Sequence, residues 1–127
     1  MKKSKIVLDW DEIETKKQKK GLIDAVLSEI ALLRNSPALK DVISDDGISI
    51  AEIDRSNNVD DNGVYTLRIL KTGKIVEDNS YMESDGYFSE PRYKGGMPVS
   101  KSELAQKIEF YKITPNDIRT IQKRIKR

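Results

Sequence analysis

Cysteine and histidine are both absent from the 127 residues. Their absence excludes disulfides, thiolate chemistry, zinc sites of the usual kind and every histidine-based catalytic triad. No apolar run approaches the roughly 18 residues needed to span a bilayer, and Met1-Lys2-Lys3-Ser4-Lys5 is followed by only three apolar residues before Asp9. A secretory leader and a membrane partner are therefore not expected, and a cytoplasmic protein is. There is no Walker loop, no glycine fingerprint for dinucleotides and no nucleophile elbow. The chain is read as non-enzymatic, with no cofactor and no metal.

Two acidic stretches bear on that reading. Asp9, Asp11, Glu12 and Glu14 form a carboxylate cluster, but nothing orders them with a catalytic lysine on a hairpin, as a metal nuclease requires. The run from Asn58 to Gly63 begins like a calcium loop. Its twelfth position is Ile69, where a bidentate glutamate is required, so a polar hairpin turn is the better description.

What the chain has is charge: 35% of residues are charged against 37% apolar, with a mean hydropathy of −0.60. This length and balance describe a single solvated domain, residues 1–127, with enough apolar surface for one core and with basic ends that fray. The net charge of +2 conceals an uneven distribution. Residues 1–20 carry seven lysines against four acids, with Lys16, Lys17, Lys19 and Lys20 packed around Gln18. Residues 21–63 carry three basic and nine acidic side chains, and residues 112–127 carry six basic ones against Asp117. The basic ends either pair with the acidic middle or form an electrostatic footprint for a polyanion.

Leu22, Ile23, Val26, Leu27, Ile30 and Leu33 recur at three and four residues and predict a helix from Gly21. The lysine cluster either extends this helix or breaks from it at Gly21. Ser36-Pro37 starts a short second helix through Ile43. After the Asp45-Asp46-Gly47 turn, Ile48, Ile50 and Ile53 suggest a strand with a slip in its alternation. Val64 to Lys71 alternates, and Thr72-Gly73 reverses it into Lys74 to Met82 as an antiparallel hairpin. Glu83 to Pro98 reads as an ordered loop or edge strand. Ser100-Lys101-Ser102-Glu103 matches a capping box for a helix carrying Leu104, Ile108 and Tyr111. Thr114-Pro115 opens a last helix with Ile118, Ile121 and Ile125 on one face. The expected fold is α+β: a small antiparallel sheet of two to four strands flanked by an N-terminal helix and a C-terminal helix pair.

Two segments carry the functional expectation. Tyr81, Tyr87, Phe88 and Tyr93, half of the eight aromatics, fall within thirteen residues that also hold Arg92. Tyrosine and arginine dominate interface hot spots, which predicts a protein-binding surface at Tyr81, Tyr87, Phe88, Arg92 and Tyr93; the structural alternative is that these rings cover the core. The leading expectation is a small binding module, such as an inhibitor, an immunity-type protein or an adaptor. The alternative is a nucleic-acid-binding protein that holds phosphates with Lys16, Lys17, Lys19, Lys20, Arg119, Lys123, Arg124, Lys126 and Arg127. A helix-turn-helix fits that alternative weakly. With Ala105 as the small residue, Glu109 stands where the turn glycine belongs. The apolar stripes would also serve a homodimer.

Overall fold

The structure, a computed structural model, describes residues 7–44, 46–55, 63–80 and 96–125. The chain opens with a single 3-10 turn, Trp10–Glu12, that Asp9 caps by accepting from the Asp11 amide. Helix α1 spans Lys16–Arg34, so the lysine cluster extends the helix rather than breaking from it. The reason is local: Thr15 Oγ1 accepts from the Gln18 amide at 3.1 Å and Gln18 Oε1 returns to the Thr15 amide at 3.1 Å. Ser36 precedes α2, Pro37–Lys40, which is shorter than the helix expected through Ile43. Its end is early because Asp41 and Val42 already turn back onto Ala38 and Leu39. Ile43 is left 97% exposed.

Four strands follow: β1 Ile48–Asp54, β2 Val64–Ile69, β3 Ile75–Ser80 and β4 Met97–Pro98. They form one antiparallel meander in chain order. Gly47, with φ of +71°, feeds β1, and a Cβ there would lie on the Ile69 carbonyl oxygen of β2, so only glycine fits. The β2–β3 hairpin closes through Gly73, also at positive φ, whose amide donates to the Leu70 carbonyl at 2.8 Å. The slip in the β1 alternation is a bulge. Ser49 pairs with Arg68 and Ala51 with Leu67, leaving Ile50 as the extra residue. Of the segment Glu83 to Pro98, residues 83–95 lie outside the described residues, and Met97–Pro98 is an edge strand.

Helix α3, Lys101–Tyr111, begins on the reciprocal bonds of Ser100 and Glu103, and α4, Pro115–Ile125, begins on matching bonds between Thr114 and Asp117. The fold is therefore α+β as expected, with four strands. One face of the sheet presents Ile50, Leu67, Ile69 and Ile75 to the helices, where they meet Val26, Ile30 and Leu33 of α1, Ile108 of α3 and Ile118 and Ile121 of α4. Each such side chain is worth roughly 1.5–3 kcal/mol when buried, and this layer dominates the stability. No helix among the described residues is long and apolar enough to cross a membrane.

Candidate functional site

The two sides of the helical layer are built differently. Over β3, α3 is tied down by polar bonds: Lys107 Nζ and Tyr111 Oη donate to the two oxygens of Glu77, each at 2.7 Å. Phe110 stands edge-on to both Tyr65 and Tyr111, with centroids 5.8 and 5.1 Å apart. Burial first, and then the bond to Glu77, push the Tyr111 hydroxyl well above the ordinary tyrosine range. At Glu103, by contrast, the Ser100 hydroxyl and amide hold the carboxyl below the usual glutamate value. Both displaced groups serve the architecture.

Along β1, α4 runs antiparallel to the strand, and among the described residues no hydrogen bond or ion pair joins it to residues 48–53. Among the described residues β1 is also the first strand of the sheet, paired on one side only. Between strand and helix lie two adjoining cavities. The first, about 460 Å³, is walled by Ile48, Ser49, Ile50, Ile121, Arg124 and Ile125. The second, about 350 Å³, shares Ile50, Ile121 and Arg124 and adds Glu52, Asp117 and Thr120 toward the start of α4. Arg124 faces both cavities, is exposed, and has no ion-pair partner among the described residues. This groove joins an apolar floor, a free strand edge and unpaired charge.

The residues expected to bind a polyanion are dispersed. Lys19 is ion-paired with Glu109 and Arg119 with Glu29, whose carboxylate and carbonyl also accept from Gln122. Lys16, Lys17 and Lys20 are exposed on the first turns of α1; on α4, Lys123 is exposed and Arg124 faces the β1 groove. Lys126 and Arg127 lie outside the described residues, as do Tyr81, Tyr87, Phe88, Arg92 and Tyr93. The residue that makes the turn between α3 and α4 is Lys112, held in the left-handed conformation at φ 53°, three positions later than the register that uses Ala105 and Glu109. In the observed register the position of the small residue is filled by Ile108, fully buried, so the two helices lack the close approach that a small side chain permits. Among the described residues no three carboxylates are placed to hold a metal ion.

Sequence reasoning missed Glu52 and Thr120 as groove residues and assigned Arg124 to phosphate binding. The available signal was the slip between Ile50 and Ile53, which marks a bulge; bulges favour sheet edges. No family model, curated protein or solved structure matches the chain.

Proposed function

We propose that this chain is a non-enzymatic protein-binding module of the inhibitor, immunity-type or adaptor kind. The observation that carries the reading is the groove between the free edge of β1 and α4, where Arg124 has no partner among the described residues. A stable backbone with uncommitted side chains at its rim is what a recognition surface requires. The residue inventory agrees, since among the described residues the side chains with displaced titration, Glu103 and Tyr111, are engaged in a helix cap and a buried bond.

The test is capture of tagged protein from its native lysate with and without nuclease, comparing wild type with Thr120→Trp, which fills the second cavity, and with Tyr87→Ala/Arg92→Ala in the aromatic segment. A protein partner retained through nuclease and lost in Thr120→Trp supports the groove. Loss in Tyr87→Ala/Arg92→Ala alone keeps the module and moves its surface to residues 81–93. Recovery that depends on nucleic acid and collapses with salt overturns the reading in favour of phosphate contacts from Lys16, Lys17, Lys20 and Lys123.

A further inference from the structure

We infer that the β1–α4 groove takes an extended, charge-alternating segment of a partner protein, which adds to the sheet as a strand beside β1. The inference rests on the protein-binding reading above and names the chemistry of the partner. An edge strand directs one row of amides and carbonyls away from the sheet, and an added strand satisfies them. The bulge at Ile50 interrupts that row, which leaves the stretch from Ala51 to Ile53 as the regular part of the edge and limits the addition to a short segment.

Side chains two residues apart on the incoming strand face the same way, at a spacing of about 6.6 Å. They enter the two cavities in turn. Among the described residues, the cavity beside Ile48 and Ile125 has Arg124 as its charged wall residue, whereas the neighbouring cavity adds the carboxylates of Glu52 and Asp117. Electrostatic complementarity therefore asks for an acidic side chain in the first and a basic one, two positions along, in the second. The isoleucine walls suit the alkyl stems of glutamate, lysine and arginine, which pack along apolar surface while their charged heads reach the rim.

Other occupants fit less well. A second copy pairing β1 with β1 about a two-fold axis would set the two α4 helices side by side and bring two identical charge patterns together rather than complementary ones. A single-stranded nucleic acid would meet Glu52 and Asp117, and among the described wall residues it would find one aromatic, the buried Tyr111, on which to stack.

Selection from a displayed library of random peptides about twelve residues long tests this directly. The expected binders carry Glu or Asp two residues from Lys or Arg. For the tightest of them, made synthetically, N-methylation should weaken binding at every second residue and be tolerated between, because only alternate amides face β1. Arg124→Glu should weaken that peptide about 10-fold, and exchanging its acid for lysine should restore affinity to this variant. Binders with apolar residues at helical spacing, or N-methyl effects without alternation, overturn strand addition and leave the groove reading standing. Binding indifferent to both Thr120→Trp and Arg124→Glu removes the groove altogether. An empty selection, or a wild-type dimer in sedimentation that Thr120→Trp dissociates, also overturns the proposed partner.

Discussion

The two flanks of the helical layer separate holding from offering. On the β3 side, Glu77 receives both Lys107 and Tyr111, and three aromatic rings lock edge to face around Phe110. On the β1 side, α4 is held from beneath by Ile118 and Ile121 and from the α1 side by Glu29, while among the described residues the flank that faces the strand has no bond to residues 48–53. Apolar burial fixes where α4 lies, and among the described residues it leaves Arg124 and Glu52 on the groove without a bonded partner, while Asp117 and Thr120 are bonded within α4 and its cap. A helix anchored on two of its faces can present the third without loss of order.

This contrast sets the size of several effects. Ile118→Ala removes a fully buried side chain that supports the α4 flank and should destabilise the fold by about 3 kcal/mol in denaturant titration. Tyr111→Phe removes a bond of the tied flank and should cost about 1 kcal/mol through the lost contact with Glu77. It also has a pH signature. The hydroxyl titrates above its ordinary value in the folded state, so its contribution is complete below about pH 10 and declines as the unfolded chain ionises above that. The alkaline limb of stability against pH should therefore be shallower in Tyr111→Phe.

Arg124→Glu, on the open flank, should leave the denaturation midpoint within about 0.5 kcal/mol of wild type. A larger loss would show that Arg124 supports the fold and would erase the difference between the flanks. The smallest effect belongs to Glu103, whose folded titration lies below the ordinary glutamate value. Its charge stabilises at neutral pH, and that contribution disappears as acid takes the pH down through the folded value. Glu103→Gln keeps an acceptor for the cap, so a slightly shallower acid limb in thermal melts is the expected result.

Much of the architecture was legible because it is local. Ser100 and Glu103 stand at capping-box spacing, and the isoleucines of α4 repeat with the helical period. Thr15 and Gln18 stand at the same spacing as Ser100 and Glu103, but four neighbouring lysines direct attention to charge and hide the helix start. The bulge is visible as a slip between Ile50 and Ile53. The edge position of β1 is not visible, since strand order depends on pairing across the chain. The same limit applies to the cations. Arg119 looks free in the sequence, yet its partner Glu29 is 90 residues away, and Lys19 meets Glu109 across a similar interval. Among the described residues Arg124 has no ion-pair partner for a reason of three-dimensional placement, because α4 turns it toward the start of β1, and Glu52 lies farther along the groove.

Trp10 is the one tryptophan in the chain, and its indole nitrogen donates to the Ile113 carbonyl at 2.7 Å across a separation of 103 residues. That bond closes the longest loop among the described hydrogen bonds, so its formation reports that the first turn has met the junction before α4. The molecule thus carries its own optical reporter of completed folding. Tryptophan emission records the docking of the first turn onto the last helix pair, while far-ultraviolet dichroism records the helices themselves. A delay between the two signals in refolding would time the final closure of the chain.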